Sequence, residues 1–295
     1  MKTPPMLRDE IISRREDIVA RWGPWTTDNV RLADGVYTLS EQASGQHARV
    51  RRALQHVRDL AGGTVSGLRV LDLGCGEGGL ALELGRHGAE VVGLDGRLGQ
   101  IEKAEFAREV LDVRPVSFTR ADVRQLSVED HGFFDIVVAL SILDHLDATD
   151  LFDVAKRIGA VCKRFAVLEA QLVATPRATR EHDGVSYRGA PRREHRPNSS
   201  RAERLAASAK SLDNVQSFAL TRASILRLLA RSSFTSMAEL LDPAASESDA
   251  PWFAAFKGRR VALATAPQAN ADPAAEWPEP KASPRLGRLL RRPKR

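Results

Sequence analysis

Between Leu68 and Ala170 the chain alternates short apolar runs with helical patterns, and this alternation constrains the fold more than any other feature. The runs are "LRVLDL", "AEVVGLD", "VSFTRAD", "FFDIVVAL" and "RFAVLEA". Most of them lack a polar face, so both sides must be covered. Helices are expected near 79–86, 98–111 and 149–161. Strands buried on both faces and joined by helices form a parallel, doubly wound sheet. After a further helix, "TRASILRLLARS", the runs "FTSMAELL" and "RRVALATA" read as two more strands. The fold class is therefore α/β, a seven-stranded, mostly parallel sheet. An apolar content of 43% over 295 residues suffices for one such domain with additions.

Those additions lie at the ends and in one insertion. Residues 1–66 read as an N-terminal cap, comprising an amphipathic helix over 6–21, a hairpin turning at Asp34-Gly35 and a helix carrying Val50, Leu54, Val57 and Leu60. The sheet domain spans 67–266, with a polar lid at about 175–214, and residues 267–295 read as a disordered basic tail. Seven of the 44 Lys/Arg fall in the last fifteen residues, leaving 37 against 38 Asp/Glu before them. The net charge of +6 thus belongs to the tail, and a general nucleic-acid surface is not implied. With Leu286, Leu289 and Leu290 on one side, the tail could touch an anionic membrane surface or simply solubilise the chain end. Cys75 and Cys162 offer neither a disulfide framework nor a zinc spacing, and the charged N-terminus has no apolar signal core, so the expected setting is cytoplasmic.

"VLDLGCGEGG" (70–79) follows the first strand and opens a helix. Its glycines at 74, 76 and 79 spell a dinucleotide motif, while those at 74, 76 and 78 spell an S-adenosylmethionine (SAM) motif. The glycines alone do not choose. Asp72 sits inside the first strand; Asp95 ends the second, where it suits the ribose of either ligand. Asp122, beside the Val123 N–H, is placed to read an adenine edge. The short-chain reductase pair Tyr-xxx-Lys is missing, since Tyr37 and Tyr187 are followed at that spacing by Glu41 and Pro191.

With "VLDLGCGEGG", "GLD", "RADV" and "FDIVVALSILDHL" in order and spacing, the chain resembles the class I SAM-dependent methyltransferases over roughly residues 67–170. The resemblance implies SAM as cofactor. It places Asp72 at the methionine ammonium, Gly74, Cys75, Gly76 and Gly78 in the loop beneath the ligand, and Asp95 with Gly96 at the ribose. Asp122 with Val123 would then take the adenine, and Leu140 would border the methionine part. The helix N-terminus after Gly78 would favour the methionine carboxylate.

Methyl transfer needs mainly an oriented nucleophile and excluded water, and a hydroxyl acceptor gains from a base. The candidate catalytic residues are His145, just past the fourth strand with Asp144 beside it in sequence, and Glu169, ending the fifth. No HExxH motif or paired CxxC points to a metal. From Arg177 to Arg204 the lid holds eight arginines against four acids, with Tyr187, His182 and His195, so arginines such as Arg188, Arg192 and Arg193 either bind an anionic acceptor or belong to a solvated, partly mobile loop with their guanidinium groups in water. Trp22, Trp25 and Tyr37 form either a satellite core or a cover over the pocket. The expected function is methyl transfer to a small-molecule or glycan-like acceptor, at a hydroxyl oxygen. A tRNA-modifying methyltransferase is the alternative within the enzyme class, and a non-catalytic SAM-binding regulatory subunit the alternative outside it.

Overall fold

The computed structural model describes residues 6–40, 46–240 and 250–258. The chain opens with α1 (Arg8–Trp22), the hairpin β1 (Arg31–Ala33) and β2 (Val36–Tyr37), and α2 (Gln46–Ala61). The sheet begins with β3 (Arg69–Leu73), α3 (Gly79–Arg86), β4 (Glu90–Asp95), α4 (Leu98–Val110) and β5 (Val116–Arg120). It continues through α5 (Val128–His131), β6 (Phe134–Leu140), α6 (Ala148–Val161) and β7 (Cys162–Glu169). Then come β8 (Ala178–His182), β9 (Val185–Arg193), α7 (Arg201–Ala206), β10 (Gln216–Leu220), α8 (Arg222–Arg231), β11 (Ser236–Leu240) and β12 (Trp252–Phe256).

Seven strands form the main sheet in the order β11-β12-β7-β6-β3-β4-β5. The pairs β7-β6-β3-β4-β5 are parallel, whereas β12 runs antiparallel to both its neighbours. The chain reverses direction in space between β3 and β6, so their carboxyl ends part there and leave a crevice. The β-branched core of β6, Ile136-Val137-Val138, is fully buried, as a strand at the centre of a two-sided sheet must be. Two apolar layers cover the sheet. One joins α6 and α8 through Phe152, Ile158, Leu228 and Leu229. The other joins α2, α3 and α4 and includes Ile11, Trp25, Leu32 and Val36, so the N-terminal cap shares the sheet's core.

The last strand expected at "RRVALATA" lies outside the described residues; among those described, the seventh strand of the sheet is β12, "WFAAF", buried throughout between β7 and β11. The insertion is no plain loop, for β8, β9 and β10 make a second, three-stranded antiparallel sheet. Its hairpin turns at Asp183-Gly184, both with positive φ (47° and 70°), a dipeptide suited to a tight hairpin turn. Tyr187 is drawn into the core, stacked on Phe152 at 4.5 Å between ring centres, rather than toward any acceptor. Among the described residues no helix is long and apolar enough to cross a membrane.

Candidate active site

A cavity of about 580 Å³ opens at the carboxyl ends of β3, β4, β5 and β6, roofed by residues 208–214 of the insertion. At its β3 end Asp72 is 4% exposed and its Oδ2 has no hydrogen-bond partner. Burial, reinforced by the nearby Asp28 charge, pushes Asp72 up to about 7. Asp28 arrives from the N-terminal segment and is itself raised to about 6, mainly by burial. The two acids outnumber the Arg49 guanidinium beside them, and one Asp72 oxygen is left without a donor, so an ammonium group would satisfy this end.

What holds Asp28 there is Glu77, fully buried inside the glycine loop. Its carboxylate accepts the backbone N–H groups of Thr26 (2.9 Å), Thr27 (2.9 Å) and Asp28 (3.0 Å), the Thr27 hydroxyl (3.0 Å) and Lys103 Nζ (3.2 Å). Trp25, 2% exposed, packs on Phe106 beside this joint. Asp28 Oδ2 in turn accepts the Gly79 N–H at 2.8 Å. The first turn of α3 is therefore capped by the chain's own carboxylate, which corrects the expectation that the methionine carboxylate sits there. Gly78 also moves out of the ligand set: it does not line the cavity. Its φ is +87°, and a Cβ would lie 2.7 Å from both Ala104 and Phe118, so packing requires the glycine.

Farther along, Asp95 accepts the N–H groups of Gly76 (3.1 Å) and Arg97 (2.8 Å). Leu212 closes over Gly96, where a Cβ would meet it at 2.8 Å. Asp122 is gripped by Arg124, whose Nη2 donates at 2.6 Å and which also bonds Asp213 (2.8 Å). Partial burial alone would raise Asp122, but the Arg124 guanidinium outweighs it and holds the carboxyl below its usual range. Cys75, Val123 and Leu140 complete this lining.

The wall past β6 bears the candidate bases. Ser141 has φ +55°, a conformation unusual for a side-chain-bearing residue. It is fixed by its N–H to the Glu169 carbonyl (3.0 Å) and its hydroxyl to Glu169 Oε2 (2.7 Å). Arg49 of α2 donates to the same carboxylate oxygen through Nε (2.9 Å) and Nη2, and to Ser141 Oγ (3.0 Å). Glu169 is thus consumed by an ion pair and does not line the cavity, which corrects its placement as a base. His145 does line it. Its Nδ1 lies 3.0 Å from Glu194 Oε2, while Asp144 turns away to accept the Gln171 N–H (2.8 Å). Burial alone would raise Glu194; hydrogen bonds from His145, Ser217 Oγ (2.6 Å) and the Ser211 N–H (2.8 Å) win and bring it down to about 2. An ionised carboxylate only accepts, so Nδ1 is the donor in this contact, and Nε2 is the nitrogen not used by Glu194.

Residues 70–164 match the family model described as "Methyltransferase domain". With the sheet order and glycine loop already in place, this decides the class. The chain carries a class I, Rossmann-like methyltransferase domain. It is 33% identical over 93 residues to the ubiquinone biosynthesis O-methyltransferase of Acinetobacter baylyi, and that stretch covers 32% of this chain and 39% of the relative. The enzyme of the same name from Azorhizobium caulinodans is 38% identical over 89 residues, 30% of this chain and 34% of the relative. The chain therefore spans well under half the length of these curated relatives. The fold is also that of the N-terminal domain of EvdMO1, crystallised in the presence of SAH and D-fucose. There the TM-score is 0.68 at 23% identity, over 88% of this chain and 100% of that domain.

Within the methyltransferase domain the structure brings together Asp72, Gly74, Cys75, Gly76, Asp95, Gly96, Asp122, Val123, Leu140 and His145 around one cavity. None of the eight lid arginines lines it. Seven of them, Arg188, Arg192 and Arg193 included, are exposed, Arg180 lying over the Phe218 ring, and the half-buried Arg204 donates to the Asp213 carbonyl at 2.6 Å. At this cavity the arginines thus follow the solvated reading rather than the clamp: Arg188 falls on the exposed side of the alternating part of β9, and Arg192 and Arg193 stand exposed at its end. Trp22, Trp25 and Tyr37 also stay outside the cavity. Sequence reasoning missed Asp28, Arg49 and Glu194, which come from distant segments with no local motif to announce them, and Arg97, which directly follows Gly96 but whose partners lie in the insertion. Glu77 lay in plain view within "GCGEGG", but nothing in that stretch discloses its partners.

Proposed function

We propose that the protein is a SAM-dependent O-methyltransferase acting on a hydroxyl of a small-molecule or glycan-like acceptor. The observation that carries the choice of oxygen is the cavity-facing His145 locked onto ionised Glu194. A neutral amine can attack with its own lone pair and lose its proton afterwards, whereas a hydroxyl gains about 10²–10⁴-fold from a base. The O-methyltransferase relatives and a neighbour crystallised with SAH and a sugar support the same reading.

Bound SAM would supply an electrophilic methyl whose C–S bond breaks with the electron pair going to sulfur. The chain's residues do the rest. The Asp72–Asp28 end receives the ammonium, and Arg49 is the cation at that side of the cavity. Asp95 takes the ribose hydroxyls, and the Asp122–Val123 corner borders the adenine. His145 Nε2 accepts the acceptor's hydroxyl proton as its oxygen bonds to the methyl carbon. Glu194 keeps the imidazole in the right tautomer and stabilises the imidazolium that results. Residues 208–214 shield the reaction from water.

The test is transfer of labelled methyl from SAM into panels of monosaccharides, phenols and RNA. Labelling of a hydroxyl compound that drops at least 100-fold in His145→Gln supports the proposal. Labelling of RNA alone, or of nothing while SAH binds, would overturn it in favour of a tRNA enzyme or a non-catalytic subunit.

A further inference from the structure

The insertion connects the two ends of the cavity through a single run of bonds. Arg97, whose N–H holds Asp95 at 2.8 Å, sends its guanidinium into the insertion. There it donates to the carbonyls of Leu205 (3.1 Å), Ala207 (3.1 Å), Lys210 (2.8 Å) and Ser211 (2.9 Å). Four carbonyls converge on one guanidinium, Nε meeting Leu205 and the two N–H groups of Nη2 shared among the other three, and this rigid plane ties residues 205–211 to Arg97. The Ser211 N–H then donates to Glu194 Oε2, the oxygen that also meets His145 Nδ1. Two crossties stiffen the same joint: Lys210 Nζ to the Glu194 carbonyl (2.6 Å) and His195 Nε2 to the Ser211 carbonyl (2.9 Å). Leu212, next in the chain, rests on Gly96 at the ribose turn.

Building on the proposed function, we propose that Arg97 and Glu194 are positioning residues of a relay that couples the ribose edge at Asp95 to the base His145. A nucleoside bound at Asp95 and under Leu212 settles the 205–212 segment, and Ser211 carries that order to Glu194. The bound nucleoside thereby holds the base more firmly in the alignment the fold already gives it, so the acceptor reacts best after the cofactor is in place. Binding linkage makes the coupling reciprocal, so disturbing Glu194 must weaken a ligand it does not touch. Glu194 does not line the cavity.

The experiment uses the full chain and SAH as probe. Calorimetry gives the SAH affinity of the wild type, Arg97→Ala, Glu194→Gln and the double variant, and ¹⁵N-histidine NMR follows the side chain of His145, assigned by its loss in His145→Gln. The expected result is that SAH shifts and sharpens the His145 signals in the wild type but leaves them unmoved in Arg97→Ala at saturating SAH. Glu194→Gln is expected to weaken SAH by about fivefold alone and by less than about 1.5-fold in the Arg97→Ala background, a non-additivity that loosened folding would not give. Should Arg97→Ala fail to fold, Arg97→Lys keeps the charge but cannot span four carbonyls, and is expected to show a weakened His145 response. Equal His145 responses to SAH with and without the guanidinium, or additive affinity losses, would overturn the relay while leaving the methyltransferase reading standing. No SAH binding by the wild type would overturn both.

Discussion

Two buried carboxylates, one lining the cavity and one behind His145 in its wall, behave in opposite ways. Asp72 keeps an oxygen without a partner and is pushed up to about 7. Glu194 is met by a ring nitrogen, a hydroxyl and a backbone N–H and is brought down to about 2. Burial acts against both charges; what differs is whether the fold itself supplies donors. At the Asp72 end it supplies one backbone N–H, from Ala81, and the Arg49 charge, but also a second acid, Asp28. One Asp72 oxygen stays without a donor, so that region is completed by a cation from outside. At the Glu194 end the donors are built in, so the region is finished and serves as a support for His145. One end receives a ligand, and the other holds a catalyst in place.

The largest expected effect lies on the finished side. His145→Gln should lower kcat by about 10²–10⁴-fold while leaving the SAH dissociation constant within about twofold, measured by labelled transfer and calorimetry. Next comes the joint that brings Asp28 to Asp72. Glu77→Ala leaves Lys103 buried without its carboxylate and frees three backbone N–H groups, so denaturant unfolding should show a loss of about 3–5 kcal/mol.

The unfinished side predicts a pH effect of definite sign. Asp72 and Asp28 have native values raised above 3.8, so between pH 4 and 7 the native state holds more protons than the unfolded chain. Their favourable contribution is present below about 3.8 and is lost as pH rises through about 6 and 7. Thermal melts of the ligand-free protein should therefore fall from pH 5 to pH 8, by at most about 1.4 kcal/mol per pH unit for each proton concerned. Saturating SAH should flatten the trend, and Asp72→Asn should raise the pH 8 melting temperature while weakening SAH at least tenfold. The smallest effect concerns the outer arginines. Neutralising Arg188, Arg192 and Arg193 together should leave SAH affinity and acceptor KM within about twofold, since none lines the cavity.

The same contrast explains what could be read from the sequence. The cofactor end is built by short segments that each close a strand, so "VLDLGCGEGG", "GLD" and "RADV" carry their placement with them. His145 was legible for the same reason, three residues past Ile142 in the turn after β6. Glu194 was not, because its role depends on β9 pairing with β10 and on Ser211 and Ser217 arriving from farther along. Glu169 misled for the converse reason: its strand-end position was right, but Arg49 reaches it from 120 residues away. The arginine-rich composition of the insertion left two readings open; the Asp183-Gly184 turn and the alternation of Val185, Tyr187 and Gly189 mark a hairpin whose charged side chains face outward.

The most direct test of the central claim is calorimetric titration of the protein with SAH at pH 6.5, repeated in buffers of different ionisation enthalpy. An ammonium arriving at Asp72 favours its ionised form, so the account predicts micromolar binding accompanied by proton release, with both diminished in Asp72→Asn and no heat from NADH. Absence of SAH binding, or tight binding with no proton released and no dependence on Asp72, would contradict it.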